Sequence, residues 1–277
     1  MCTLAIYFRV FPEYPVVIAA NRDEFLDRPA LAPVTLADHP HAVGGKDLKA
    51  GGTWLGLNSY GLVCGLLNRR SELPANPNAR SRGTLTLEAL SHRRPHEASA
   101  HVARQDGSHY NPFNLLTASR NEAFVAYNRA AASRIEIARL SPGFHLLTNL
   151  DLDDFECPRI SRSYRKFYDL AKANMSPNPD WLREALARVL SEHTTELDPR
   201  SGRPNALCLH LGEYGTRSSS IIILGGDSNR TIHYYAAGPP CQFAYHPASV
   251  PDSSLEEGRD TGDRKAADRY RGAGQEN

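Results

Sequence analysis

Several features that would direct a functional assignment are missing from this sequence. It has no C-x-x-C pair, no run of 18 apolar residues and no charged-then-apolar secretory leader. Without a long apolar run we expect no transmembrane segment. The formal net charge is only +1, and clustered Lys and Arg are needed to bind phosphate backbones, so we expect no nucleic-acid partner. Oligomeric state cannot be read from these patterns.

Cysteine is scarce as well. There are five cysteines, an odd number without paired spacing, at positions 2, 64, 157, 208 and 241. Disulfides are rare in reducing compartments, so this pattern favours a reduced, cytoplasmic protein.

Patterns typical of metal and phosphate sites are also absent. His96 and His101 are five residues apart and miss the i, i+4 spacing of a zinc helix, while the glycines of "GGK" (44–46) lack the phosphate-loop spacing. We interpret His210, within "LCLHL", as a strand histidine. The sequence therefore predicts no metal site and no cofactor required for catalysis.

What the sequence does have is a set of short apolar runs of strand length, bounded by Gly, Pro, Asn or Ser. They lie at 4–8, 16–20, 61–67, 113–118, 123–127, 144–148, 207–211, 220–224 and 231–237. They lack polar alternation, which is typical of sheets covered on both faces. The pattern predicts sheets packed between helices.

Helical periodicity is confined to the middle of the chain. Apolar residues at helical spacing predict one helix within 156–171 and another over 182–190, with Asn178 as the cap of the second. A weaker helical stretch over 83–104 is interrupted at Pro95. We expect a single domain over 1–250, followed by a disordered polar tail over 251–277 that has too few apolar residues to fold.

The opening "MCTLAIYF" places a cysteine directly after the initiator methionine. If Met1 is removed, Cys2 carries both a thiol and a free α-amine. Their ordinary pKa values are about 8.5 and about 7.7–8.0, so the amine can accept the thiol proton near neutral pH. The resulting thiolate can attack an amide or thioester carbonyl.

The segment "AANRDEF" supplies charges that suit this nucleophile. On an extended strand, Asn21 and Asp23 face one side and Arg22 and Glu24 face the other. Asn21 and Glu24 are candidate ligand-binding residues. We expect Arg22 and one carboxylate to converge on the thiol, and leave open whether that carboxylate is Asp23 or Glu24. Trp54, in "GGTWLG", follows a glycine turn and is a candidate wall of a pocket.

The sequence resembles the NRDE family, also called the transport and Golgi organisation protein 2 family. The resemblance is carried by "MCTLAIYF", "AANRDEF-x-x-RP", "GGTWLGLN-x-x-GL" with its "LLN", and "YGTRSSSIIIL", in the family's order over about residues 1–238. A wider resemblance reaches the N-terminal-nucleophile hydrolases of the bile-salt hydrolase and penicillin V acylase group, which begin Met-Cys-Thr and carry an Arg/Asp strand early.

The wider resemblance implies an α+β fold, a four-layer αββα sandwich. It also implies an oxyanion hole built from the Asn149 side chain and a backbone N–H near Asn68. Two departures stand out: Arg22 and Asp23 are adjacent where that group spaces them by three, which makes Glu24 the other candidate, and the group's later arginine has only Arg217 as its counterpart.

Two functions follow as expectations. In the first, Cys2 hydrolyses an amide or thioester bond of a small acyl substrate. In the second, which the family's association with haem movement and acyl-lipid handling implies, the protein binds haem or an acyl lipid without catalysis.

Overall fold

The computed structural model of the chain describes residues 2–130, 132–199, 202, 204–226 and 230–252. Fourteen strands and four α-helices occur in this part of the chain, together with a short 3₁₀ turn at Gly107–His109. In order they are β1 (Thr3–Phe8), β2 (Val16–Phe25), β3 (Ala30–Asp38), β4 (His41–Asp47), β5 (Thr53–Asn58), β6 (Val63–Asn68), α1 (Arg82–Leu90), α2 (Pro95–Ala103), β7 (Phe113–Ala118), β8 (Ala123–Asn128), β9 (Glu136–Arg139), β10 (Gly143–Leu147), α3 (Pro158–Ala173), α4 (Pro179–Leu190), β11 (His210–Leu211), β12 (Tyr214–Leu224), β13 (Thr231–Ala236) and β14 (His246–Pro247).

The strands form two antiparallel sheets. The first sheet has the order β10-β1-β2-β12-β13-β14, with β11 paired to β12. The second sheet runs β3-β4-β5-β6-β7-β8-β9. Every strand of the second sheet pairs with its neighbour in sequence. In the first sheet, β1 and β2 pair with each other and also with β10 and β12 from the C-terminal half of the chain.

The layers are read from three apolar clusters. Leu4 and Ile18 of the first sheet pack with Leu57 and Val63 of the second, which defines the core between the sheets. Alternate residues on β1 and β2 face away from that core and pack against α3 and α4. Residues of β6 and β7 pack against α1 and α2 on the outer face of the second sheet. The fold is therefore α+β, a four-layer αββα sandwich, as the sequence predicts.

Helix boundaries follow the local signals. The Asn178 side chain accepts a hydrogen bond from the N–H of Trp181 and caps α4, as expected. Pro95 begins α2, so the stretch predicted over 83–104 is two helices, because proline fits the first turn of a helix but breaks its interior.

The predicted strands and the predicted tail agree only partly with the structure. Of the run at 207–211, only His210–Leu211 is a strand, and β3, β4, β5, β9 and β14 lie outside the predicted apolar runs. The tail predicted from residue 251 lies outside the described residues from 253 onward and stays a prediction. No helix in the part of the chain that the structure describes is long and apolar enough to cross a membrane.

Candidate active site

A cleft opens between the two sheets where β1 and β2 meet. Its cavity volume, the space open to the centres of water molecules, is about 20 Å³, and all the empty space including open solvent at its mouth is about 320 Å³. The residues that line it come from both sheets: Cys2, Thr3, Leu4, Ala20, Asn21, Arg22, Trp54, Leu55, Leu66, Leu67, Ser218 and Ser220. Cys2, Arg22 and Trp54 thus meet in one cleft.

The strand register places three polar residues of the cleft in one row across the first sheet. Thr3 lies opposite Asn21 on β2, so Cys2, one residue earlier, lies opposite Arg22. Arg22 in turn lies opposite Ser218 on β12. Opposed residues of antiparallel strands project from the same face. Cys2, Arg22 and Ser218 therefore share the face that looks toward the second sheet.

The Cys2 thiol is half-buried, and its Sγ lies 3.8 Å from the backbone carbonyl oxygen of Asp23. Burial raises the pKa of the Cys2 thiol because a thiolate is poorly solvated there. The negative charge of Asp23 raises this pKa further, while the positive charge of Arg22 lowers it. The positive charges of the N-terminal amine and of Arg22 both favour the nucleophilic thiolate, and the amine has the larger effect.

Arg22 is fixed from the opposite sheet. Its Nη2 lies 3.2 Å from Oδ2 of Asp47, at the end of β4. Its guanidinium carbon lies 4.1 Å from the centre of the Trp54 ring. Nη1, by contrast, is buried and has no hydrogen-bond partner among the described residues. A buried guanidinium with one free N–H group beside a thiol is suited to a carboxylate, an oxyanion or the thiolate itself.

Two glycine-rich segments build the support for Arg22. Gly51 and Gly52 have φ of 68° and 80°, in the left-handed region that favours glycine. They end a loop in which the Asp47 side chain accepts hydrogen bonds from the N–H groups of Lys49 and Ala50. A Cβ at Gly45 would overlap the Trp54 ring. The segment "GGK" thus makes room for the tryptophan.

The charged segment on β2 divides between the two faces of the sheet, as the alternation predicts. Asp23 Oδ2 lies 3.2 Å from Nη1 of Arg159 on α3, and its Oδ1 accepts a hydrogen bond from the Thr216 hydroxyl. Glu24 lies 3.5 Å from Arg28. Neither predicted carboxylate pairs with Arg22, because Asp23 faces the helices and Glu24 is turned toward Arg28.

Asn21, expected to bind a ligand, has its side chain on the helix face. Its amide donates hydrogen bonds of 2.9 Å to the carbonyls of Leu190 and Leu207, and its oxygen accepts one from the Ser219 hydroxyl. These bonds occupy both ends of the amide. The side chain fastens β2 to the end of α4.

The two residues proposed for an oxyanion hole lie on neighbouring segments. Leu4 lies opposite Leu147, so continuing this register sets Cys2 opposite the buried Asn149. The Asn149 carbonyl accepts a 2.8 Å hydrogen bond from the N–H of Arg70, just after β6. Asn68 is exposed and lies opposite Phe113, which packs toward α1 and α2, so only its backbone is available to the cleft.

Arg217, the candidate for the later arginine, sits at an irregularity in the pairing of β12 with β2, between Thr216 and Ser218. It is not among the residues lining the cleft. Its Nε is buried and has no hydrogen-bond partner among the described residues.

The sequence patterns did not identify the residues that pair with Arg22 and Asp23, because these lie far away along the chain. Asp47 and Arg159 lie 25 and 136 residues from the β2 side chains that they bind. Arg82, at the start of α1, is near enough to Cys2 for their charges to interact. The only sequence signal for Asp47 is its place just before the turn "KAGG".

The structure also brings together residues that the sequence left separate. His193, Cys208, His210 and Cys241 form a cluster of metal-ligating side chains, although we expected no metal site. It lies outside the cleft, and all five cysteines are free.

Comparison with known proteins gives both a family and a fold. A family model described as "Transport and Golgi organisation 2" matches residues 1–235. The Transport and Golgi organization protein 2 homolog of Bos taurus is 30% identical over 256 residues, covering 82% of this chain and 90% of the bovine protein. The Homo sapiens homolog is 28% identical over 256 residues, with the same coverage.

Among solved structures, the conjugated bile acid hydrolase from Clostridium perfringens matches with a TM-score of 0.54 at 10% identity, covering 91% of this chain and 98% of that protein. Penicillin V acylase from Agrobacterium tumefaciens matches with a TM-score of 0.54 at 15% identity, covering 85% of this chain and 83% of the acylase. An N-acylethanolamine-hydrolyzing acid amidase ortholog from Caenorhabditis elegans gives 0.52 at 15% identity, covering 80% and 92%. These similarities confirm the N-terminal-nucleophile hydrolase fold.

Proposed function

We propose that this chain, which belongs to the Transport and Golgi organisation 2 family, cleaves an amide or thioester bond with Cys2 as the nucleophile after Met1 is removed. The observation that carries the proposal is the position of Arg22. It is opposite Cys2 on the same face of the first sheet, is held by Asp47, and keeps one buried N–H group unpaired in the cleft.

The proposed reaction begins with the α-amine of the processed Cys2. The amine accepts the thiol proton, and the thiolate attacks the carbonyl carbon of the substrate. The carbonyl oxygen becomes an oxyanion, for which the Asn149 side chain and a backbone N–H near Asn68 are the candidate donors. One such donor typically contributes about 3–4 kcal/mol to the transition state.

The tetrahedral intermediate then collapses. The bond to the amine or thiol leaving group breaks, and the ammonium of Cys2 returns its proton to that group. Water next attacks the acyl-enzyme and releases a carboxylic acid, restoring the thiol. The protein's own groups supply every proton transfer.

The walls of the cleft favour an apolar acyl group. Leu4, Leu55, Leu66, Leu67 and Trp54 line it, and the hydroxyl, thiol, amide and guanidinium residues of its lining all come from the first sheet. Apolar walls with a few convergent polar groups are typical of small-molecule sites. The similar proteins of this fold are named for conjugated bile acids, N-acylethanolamines and penicillin V.

The test is acylation of the purified chain with a panel of activated amides and thioesters of increasing acyl length, analysed by mass spectrometry. We expect a chain lacking Met1 and an acyl adduct on the Cys2 peptide. The adduct should be lost in Cys2→Ala and kept in Cys64→Ala, since Cys64 is buried against α1 and α2. Fully retained Met1, or acylation that persists in Cys2→Ala, would falsify the proposal.

A second candidate function is non-catalytic binding of an acyl lipid or haem, favoured by the same apolar walls. On this proposal the cleft holds the ligand, and Cys2 is not required. Titration with haemin or with a fluorescent fatty acid would show saturable binding that is equal in the wild type and in Cys2→Ala, without an acyl adduct on the wild type.

A further inference from the structure

The cluster of His193, Cys208, His210 and Cys241, hereafter the His/Cys cluster, lies outside the cleft. Of the four residues, His210 is on a strand of the first sheet and the other three are in connecting segments. The two sulfur atoms are 3.6 Å apart. Nε2 of His210 lies 3.2 Å from the sulfur of Cys241 and 3.8 Å from that of Cys208. All four ligand atoms lie within 4.8 Å of one another.

These distances agree with tetrahedral coordination of one ion. With zinc–sulfur bonds of about 2.3 Å and zinc–nitrogen bonds of about 2.0 Å, tetrahedral angles place two sulfurs about 3.8 Å apart and a sulfur and a nitrogen about 3.5 Å apart. The observed sulfur–nitrogen separations of 3.2 and 3.8 Å bracket the second value, and the sulfur–sulfur separation of 3.6 Å is slightly shorter than the first. The widest separation in the cluster, 4.8 Å, is longer than either value, so His193 moves closer when an ion binds.

The orientation of His193 is a second, independent observation. Its Nδ1 lies 3.1 Å from the carbonyl oxygen of Cys208. A carbonyl only accepts, so Nδ1 carries the proton and Nε2 is left with a free lone pair. Metal-binding histidines commonly donate their other N–H to a backbone carbonyl in this way, which fixes both the ring and its tautomer.

The fold holds three of these ligands in place without a metal. The N–H of Cys208 donates to the carbonyl of Glu192, next to His193, with a distance of 3.0 Å. His210 lies on β11, opposite Gly215 of β12. The fourth ligand, Cys241, is in a turn after β13 and is exposed, so a cation has an entry path from solvent.

We propose that the His/Cys cluster binds one Zn²⁺ ion. Two thiolates and two imidazoles in tetrahedral positions are the donor set that favours zinc among the common divalent cations. Four protein ligands fill the coordination sphere, so the ion is structural and takes no part in catalysis. The bound ion links the end of α4, the segment before β12 and the turn after β13. This proposal stands independently of the chemistry proposed for Cys2.

The test uses the full chain, purified under reducing conditions from zinc-supplemented cells with any histidine tag removed. Elemental analysis should find about one zinc per chain. Exchange with cobalt should give the intense visible bands of tetrahedral cobalt with thiolate ligands. Zinc content should fall below about one tenth in Cys241→Ser and in His210→Gln, because a site that loses one of four ligands binds far more weakly.

The matched control is His246→Gln, an exposed histidine outside the cluster, which should keep its zinc. Circular dichroism of Cys241→Ser shows whether this variant is folded, so that a loss of zinc can be separated from unfolding. Absence of zinc together with absence of cobalt bands in the reduced wild type would overturn the proposal, as would zinc that persists in both variants. If Cys208 and Cys241 form a disulfide, and the protein takes up no cobalt after that disulfide is reduced, the proposal is likewise wrong. The two cysteines would then be a redox pair.

Discussion

Arg22 on the first sheet forms an ion pair with Asp47 on the second, with 3.2 Å between Nη2 and Oδ2 and only 6% of the arginine side chain exposed. The two residues belong to different layers of the sandwich. Packing of the sheets therefore fixes the guanidinium that faces Cys2. A charge held in a partly dry cleft acts more strongly on a neighbouring thiol than a mobile surface charge does.

Replacement of Arg22 should make the Cys2 thiol harder to ionise. Burial raises the pKa of this thiol, and the charge of Arg22 is one of the influences that lower it, so Arg22→Gln removes part of that opposition. We expect the pH profile of Cys2 alkylation by iodoacetamide to move to higher pH, which lowers the rate near neutral pH. Peptide-resolved mass spectrometry measures that rate at each pH.

The control for this variant is Arg165→Gln, which removes an exposed arginine on α3. Its profile should coincide with that of the wild type. A profile for Arg22→Gln that also coincides with the wild type would show that Arg22 does not act on the thiol.

Asn21 should matter for stability. Its amide spans the carbonyls of Leu190 and Leu207 at the helix face of the first sheet. Asn21→Ala leaves two buried carbonyls without these donors, so the free energy of unfolding should fall by about 1–3 kcal/mol. Urea denaturation checks this, with exposed Asn78→Ala expected to change stability by less than about 0.5 kcal/mol. Equal stability of the two variants would contradict the structural role.

Much of this fold was predictable from local pattern. Apolar runs without alternation indicated sheets covered on both faces, and the alternation of "NRDE" correctly separated Asn21 and Asp23 from Arg22 and Glu24. Caps and helix starts at Asn178 and Pro95 depend on neighbouring residues only, so local chemistry suffices to find them.

The partners of the charged residues were not predictable in the same way. Arg22 pairs with Asp47 because two sheets pack, and Asp23 pairs with Arg159 because α3 covers β2. Neither pairing can be inferred from the spacing of residues along the chain. Cys208 and Cys241, 33 residues apart, meet for the same reason. Single-sequence reasoning finds the chemically active types but not the tertiary contacts that select among them.

His145 makes stability depend on pH in a defined direction. It is partly buried, which alone lowers its pKa, but hydrogen bonds with Asp153 (Nδ1–Oδ2 2.6 Å) and the Ser141 carbonyl raise the pKa of His145 above its usual value. A raised pKa in the folded state contributes stability that is fully present below the unfolded value of about 6.5 and is lost as pH rises through the folded value.

The His145→Gln variant should therefore lose about 1 kcal/mol relative to the wild type at about pH 5.5, and less at about pH 9. Urea denaturation at the two pH values measures the difference. Exposed His109→Gln is the control, and its loss of stability should be less than about 0.5 kcal/mol at both pH values. A loss that grows with rising pH would contradict the assigned direction.

The buried ion pair between Asp23 and Arg159 should behave as a unit. The side chains are 0% and 4% exposed, and Arg159 also donates to the Thr3 hydroxyl beside Cys2. Asp23→Asn leaves a buried guanidinium without its counter-charge, and Arg159→Met leaves a buried carboxylate. Each variant should therefore lose about 3–5 kcal/mol of unfolding free energy.

The double variant buries no unpaired charge, so it should lose much less than the sum of the two single losses. A double-mutant cycle by chemical denaturation measures this coupling. Additive losses would mean that the two charges are solvated separately, and the support that α3 gives to the strand carrying Arg22 would then have to come from apolar packing alone.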